Sequence, residues 1–298
     1  MEYELLVALL AGLGSMIGWG VADFFAKKTI DKIGDVATLF WAQLIGVFPL
    51  LILFLVRPSL PSIGYVGFAY LAFLGIWEGL TYIPVYVAFG KGKVSLLSPI
   101  FATYAIVVAI LSAVFFGEII PFGRQISFVI VFLGIVLINN GNPKSIWLAL
   151  QGKEYKKTEK IKGLKEIIFA ICFYGLWLIF FDRFVAGRYW VPFLLGVRIF
   201  STLTVYVYAK RKHIKLTILD RGLWKFLVLI GLFDVAAFAS LSYGFSQSSY
   251  VSIVAMLGAI FSLPTIILAR IFLKEKVTTI QTIGSIVIIV GILFLFLF

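Results

Sequence analysis

The chain has 298 residues, 62% of them apolar and only 13% charged, with a formal net charge of +12. A soluble domain is nearer about 45–50% apolar, and no soluble surface can be built from so few charges, so the solvent for this chain is lipid. Its basic residues flank apolar segments, as in loops facing anionic headgroups, and this argues against the basic face of a nucleic-acid-binding protein.

The hydrophobic runs predict ten membrane helices, each long enough to cross a bilayer and to satisfy its own backbone. They do not alternate in polarity as the strands of a β-barrel do. The first, 4–26, has no basic segment before it and reads as a span rather than a cleaved signal. It carries Gly14 and Gly18, a small-xxx-small pair suited to close helix contact. Trp19 follows as a candidate cavity-lining residue, and Asp23 is expected to form an interfacial ion pair with Lys27. The second run, 36–56, holds Gln43 near its middle. The third, 65–89, holds Glu78 near its middle, and helical spacing puts Thr81, Tyr82 and Tyr86 on the same face. Tyr86 approaches the span end and fits an interfacial aromatic belt, which suits Tyr82 less well. The fourth and fifth runs, 94–116 and 122–140, are joined by a short link containing Gly117-Glu118.

The longest connection, 140–163, contains Lys153, Lys156, Lys157, Lys160 and Lys162, with Ile146, Trp147, Leu148 and Leu150 placed to lie at the interface. Five further runs follow, at 164–184, 189–209, 222–246, 250–273 and 279–298. Asp182 and Arg183 near the end of the sixth read as a second interfacial pair. Arg198 stands near the middle of the seventh, with Ser201, Thr202 and Tyr206 on its face, and Asp234 near the middle of the eighth. Pro49, Pro84, Pro99 and Pro264 are candidate bend points, since neighbouring helices can satisfy the backbone that proline frees.

The two halves repeat. An offset of 157 places Val94-Ser95 on Val251-Ser252, Glu118 on Glu275 and Gly134-Ile135 on Gly291-Ile292. An offset of 156 places Gly75 on Gly231 and Glu78 on Asp234, and one of 155 places Gln43 on Arg198. Five spans is an odd number, so the second copy enters the membrane from the opposite side. The fold expected is all-α, with ten transmembrane helices in two inverted five-helix repeats: 1–140, a basic connecting loop 141–163, and 164–298. Such repeats commonly hold substrate at their interface near the midplane.

With this duplication, with Gly-Trp-Gly at 18–20 and with an acid in each short link (Gly117-Glu118 and Lys274-Glu275), the whole chain resembles the drug/metabolite transporter superfamily in its ten-helix EamA-like branch. The second link departs from the first in carrying Lys274 where the first has Gly117. The resemblance implies a secondary carrier of small metabolites in the cell membrane and leaves the substrate open.

Ionisable groups at mid-span cost about 2.5–3.5 kcal/mol each on insertion scales, so Glu78, Arg198 and Asp234 need a reason to be there. Repeat symmetry sets them at one depth with Gln43. Arg198 can fasten helices by neutralising one acid. The other acid is then left for substrate, for a coupling proton or for water. The expected binding set is Arg198, Glu78, Asp234, Gln43, Tyr82 and Trp19. Arg198 would hold an anionic group, and Glu78 or Asp234 a cationic group or the proton, so that a zwitterion such as an amino acid would use both signs.

Other chemistries find little support. Cys172 and His213 are each single, which leaves no disulfide, no metal cluster and no Ser–His pair. No phosphate-cradling loop is present for ATP, and no cofactor is expected. An intramembrane aspartyl enzyme would need Glu78 and Asp234 to share a site without Arg198. A channel would favour rings of charge or carbonyls in a symmetric pore. The expected partners are a small-molecule substrate, the lipid bilayer and a coupling proton, with the chain a monomer or homodimer. Finally, 21 of the 26 Lys and Arg residues flank the odd-numbered loops and four the even-numbered ones, with Arg198 inside a span. Basic loops stay cytoplasmic, so the count predicts outward-facing termini. The family resemblance implies cytoplasmic termini, and we follow the count.

Overall fold

The computed structural model describes residues 2–58, 63–116, 121–140, 161–185, 189–218, 220–247 and 251–297. They form twelve α-helices, and no strand occurs among the described residues. The first half contains α1 (Glu2–Ile33), α2 (Asp35–Val56), α3 (Gly64–Lys91), α4 (Val94–Ala102), α5 (Tyr104–Phe116) and α6 (Phe122–Asn140). The second contains α7 (Leu164–Val185), α8 (Val191–Arg211), α9 (Trp224–Gln247), α10 (Val251–Ala259), α11 (Ser262–Phe272) and α12 (Thr279–Leu297). The chain is an all-α membrane protein whose ten spans form two inverted five-helix repeats. Eight spans are long and apolar enough to cross a bilayer, and α6 and α12 contribute the shorter apolar stretches Gln125–Ile138 and Thr279–Phe294. Large exposed side chains such as Ile52, Phe132, Ile199 and Ile271 give the bundle the apolar exterior that lipid requires.

Two features depart from the sequence reading, and a third part of it lies outside the described residues. First, α1 runs on to Ile33, seven residues past the predicted end at 26. The charges that ended the hydrophobic run are satisfied within the helix and against α3: Lys27 Nζ donates to Asp31 at 2.8 Å and to the Phe89 carbonyl at 2.8 Å. Second, the fourth and ninth spans are each two helices, α4–α5 and α10–α11. The breaks, at Thr103 and at Ile260–Phe261, correspond under the 157-residue offset. Pro264 falls in the first turn of α11, where a missing N–H costs nothing, so the helix restarts just ahead of it. At the other break the Thr103 hydroxyl donates to the Ile100 carbonyl at 2.7 Å. Third, the basic connecting loop from 141 to 160, with its interfacial residues, and the link residue Glu118 lie outside the described residues.

Small residues set how closely the repeats approach. A Cβ on Gly75 would lie 2.5 Å from Phe200 Cβ and 2.7 Å from the Val197 carbonyl, so α3 lodges on α8 there. At the symmetry-related position, a Cβ on Gly231 would lie 3.0 Å from Gly46 N and 3.2 Å from the Ala42 carbonyl, lodging α9 on α2. Each glycine precedes a mid-membrane acid, Glu78 or Asp234, by three residues. The close approach therefore delivers each acid to the repeat interface. The Gly-Trp-Gly motif works similarly on α1: Gly18 abuts Phe233 and Ala237 of α9, Gly20 abuts Phe261 and Pro264, and Trp19 packs edge-on to Phe238 and Phe261. Gly14 meets Ser240, so the Gly14–Gly18 pair is a helix-contact face, as its spacing predicts.

One membrane face is closed by a bridge between the repeats. On the face carrying most of the lysines, all nine residues of α4 are buried and α4 packs against α11. There Glu275 accepts hydrogen bonds from the first two amides of α4, Val94 N and Ser95 N, each at 3.0 Å, and from the Ser95 hydroxyl. Lys93 Nζ donates to the Lys276 carbonyl beside it. Helix N-termini leave amides without partners and carry positive potential, so a carboxylate from the other repeat is a strong bridge. On the opposite face the equivalent acid, Glu118, lies outside the described residues.

Candidate functional site

The centre of the site is a cross-link on the pseudo-two-fold axis. In α8, Arg198 is 3% exposed; its Nη1 donates to Gln43 Oε1 of α2 at 2.6 Å and its Nη2 to Asp234 Oδ2 of α9 at 2.5 Å. Both bonds run between elements that the glycine contacts hold together, so the guanidinium is fixed at both nitrogens before any ligand arrives. Charge-assisted pairs of this kind are the strong hydrogen bonds. Losing one partner would strand the other in a low-dielectric interior.

Glu78 of α3 is fully buried. It lies within electrostatic reach of Arg198 and Asp234, and the Ser201 hydroxyl of α8 stands beside it, although neither carboxylate oxygen makes a hydrogen bond of full geometry among the described residues. Arg198 Nε is likewise without one. A buried acid in this condition is costly as an anion. Of the two symmetry-related acids, then, Asp234 is the paired one and Glu78 the one left over.

Beside the cross-link is a cavity of about 50 Å³ bounded by Trp19, Asp23, Gln43, Tyr82, Arg198 and Asp234, with Tyr86, Phe101, Tyr104, Tyr174 and Phe261 completing its aromatic wall. The rings brace one another: Tyr174 stands edge-on to Tyr82 at 5.9 Å and to Tyr104 at 4.8 Å between centroids. A volume of this size holds a few waters and no metabolite, so a solute enters only with movement of the walls.

Five of the six residues expected at the site line this cavity: Trp19, Gln43, Tyr82, Arg198 and Asp234. Glu78 lies outside the lining. Two expectations fail. Asp23 does not pair with Lys27; it faces the cavity and accepts a hydrogen bond from Ser98 Oγ of α4 at 2.9 Å, while Lys27 pairs with Asp31. Because α1 ends at Ile33, Asp23 stands about three turns inside the helix, away from the interface. Tyr86 is no belt residue either, being buried and part of the cavity wall. Tyr206 does behave as a belt residue, 40% exposed beneath Lys210. The side chain of Asp182 lies outside the described residues. Ser98, Tyr104 and Tyr174 were missed by sequence reasoning. Ser98 immediately precedes Pro99, and a polar residue next to a helix-bending proline was the available signal.

No three His, Cys, Asp or Glu side chains among the described residues come together as metal ligands. With Arg198 bonded to Asp234, Glu78 and Asp234 also lack the arrangement in which two carboxylates share a proton for hydrolysis.

Comparison with known proteins agrees with the architecture. The model of the EamA-like transporter family matches residues 6–140 and 161–297. An uncharacterized protein of Methanocaldococcus jannaschii is 24% identical over 135 residues, which cover 45% of this chain and 98% of that protein. That relative is thus about one repeat long. A solved crystal structure superposes with a TM-score of 0.65 at 13% identity, covering 96% of this chain and 95% of the other. At that identity the likeness is one of fold alone.

Proposed function

The chain belongs to the EamA-like transporter family, membrane transporters of the drug/metabolite type, and from that premise we propose that it is a secondary active carrier of the cell membrane. It moves a small polar solute by alternating access through the cavity between its repeats. The observation that carries this reading is the division of labour among the buried charges. Arg198, Asp234 and Gln43 form a neutral cross-link between the halves, and Glu78 is left as a buried acid outside it, with the Ser201 hydroxyl beside it. A proton-coupled carrier needs one group that changes its proton occupancy during the cycle. In this reading Glu78 fills that role, and Asp234 is the anchor.

The Glu275 bridge supports a gated pathway over an open pore: it ties the second repeat to the first at the basic face and acts as a seal there. A channel would conduct with no such seal, and its signature would be single-channel currents in place of saturable, counter-transported flux. The basic face is cytoplasmic by the charge count, so the bridge closes the cytoplasmic side.

The test is a proteoliposome uptake screen of small metabolites with and without an imposed pH gradient. Arg198→Ala is the specific variant. It removes the cross-link, so it should abolish saturable uptake while leaving inserted protein. Arg198→Lys should restore little, since an ammonium cannot reproduce the two-pronged guanidinium geometry. Normal uptake by the alanine variant would rule out this site.

A further inference from the structure

Resting on that reading, we infer that the solute is a monocation with a flat aromatic body, an aromatic amine, and that Asp23 is the group that receives its ammonium. The sequence points to a zwitterion, with Arg198 free to take an anionic group. The structure changes that balance, because both terminal nitrogens of Arg198 are bonded, one to Asp234 and one to Gln43. An incoming carboxylate would have to displace one of these partners. Displacing Asp234 would part a half-buried anion from the cation it is paired with, which is unfavourable.

The charge left over is negative. The ionisable residues on the wall are Asp23, Arg198 and Asp234. Arg198 and Asp234 cancel, so Asp23 remains. Among the described residues, the Ser98 hydroxyl donates to one of its two oxygens. Asp23 is thus the wall acid that no basic side chain bonds among the described residues, and an ammonium would supply that missing partner.

The rest of the wall favours the same ligand. The same cavity is lined by Trp19, Tyr82, Tyr86, Phe101 and Tyr104, rings whose faces can attract a cation and whose area suits an apolar body.

The experiment uses three probes with one phenol ring and three charges: tyramine (+1), tyrosine (zwitterionic) and 4-hydroxyphenylacetate (−1). Binding to the purified full-length protein in detergent is followed by isothermal titration, and exchange in proteoliposomes by counterflow. Tyramine should bind saturably, at least tenfold tighter than either of the others. Asp23→Asn should lose that preference, and Asp23→Glu should keep most of it. The inference is overturned if tyrosine or the acid binds as tightly as tyramine, if none of the three binds, or if folded Asp23→Asn, checked by size-exclusion and thermal unfolding, still selects the amine. The two readings fail separately. Counterflow of a zwitterionic or anionic solute without the amine leaves a carrier of another substrate class, whereas no counterflow of any solute in the wider screen removes the carrier itself.

Discussion

Replacing Glu275 by alanine should open the basic face. Its carboxylate accepts two amides at the start of α4 and the Ser95 hydroxyl, and it joins the second repeat to the first. A helix cap is worth about 0.5–2 kcal/mol, and a hydrogen bond to a charged acceptor about 1.5–3 kcal/mol. Glu275 is only partly buried, so solvent screens it, and about 2 kcal/mol for the whole bridge is a fair figure. That energy corresponds to about a 30-fold shift in the equilibrium between closed and open basic faces. The readout is a cysteine at Leu97, which is fully buried in α4, placed in a Cys172→Ala background. Its maleimide labelling rate requires the face to open, and it should rise about 30-fold or reach the rate of an exposed control at Lys215. Glu275→Gln, which keeps an acceptor and loses the charge, should fall between. An unchanged labelling rate in Glu275→Ala would refute the bridge as a determinant of access.

Other outcomes follow from the same geometry. Glu78→Gln should lose accumulation driven by a pH gradient and keep solute exchange, whereas Asp234→Asn should lose both; normal gradient-driven accumulation in both variants would contradict the assignment, by flux assay in liposomes. Gly231→Val places a side chain against Gly46 N and the Ala42 carbonyl, and overpacking of this kind costs about 1–3 kcal/mol. A lower unfolding temperature in detergent, with Gly75→Val behaving alike at its symmetry mate, is the expected result. The charge count places residue 156 in the cytoplasm and residue 2 outside, so on intact cells an impermeant maleimide should label Glu2→Cys and spare Lys156→Cys, each in Cys172→Ala; the reverse pattern would place the termini in the cytoplasm.

The central charges were legible because charge is expensive in lipid. Glu78, Arg198 and Asp234 stood out against long apolar runs, and the repeat offsets tied them and Gln43 to one depth. Their pairing was not legible, since an arginine facing two acids is neutral about the choice until backbone geometry decides it. Asp23 was misplaced because a hydrophobic run ends at the first lysines, whereas the helix, its charges paired, continues to Ile33. Pro99 and Pro264 marked the fourth and ninth spans as places to bend, but the continuous apolar runs hid that each span breaks into two helices, at Thr103 and Ile260. The sealed basic face could not be read either: both halves carry the same acid and serine pattern, and only the folded chain shows that the Glu275 bridge to Ser95 is made.

The hydrogen bond between Gln43 and Arg198 bears on how such a protein could arise. α2 and α8 are the two copies of one helix facing each other across the axis, so each residue there meets its own counterpart. In an assembly of two identical half-length chains that position would be occupied twice by the same side chain. Two arginines would repel, and two glutamines would bond but could not anchor an acid. A base set against an amide is open only to a gene whose halves are free to drift apart. Fusion into one chain thus gave this carrier a vocabulary that no pair of identical subunits can speak, and the same argument marks position 43/198 as the place to look for the first divergence after duplication.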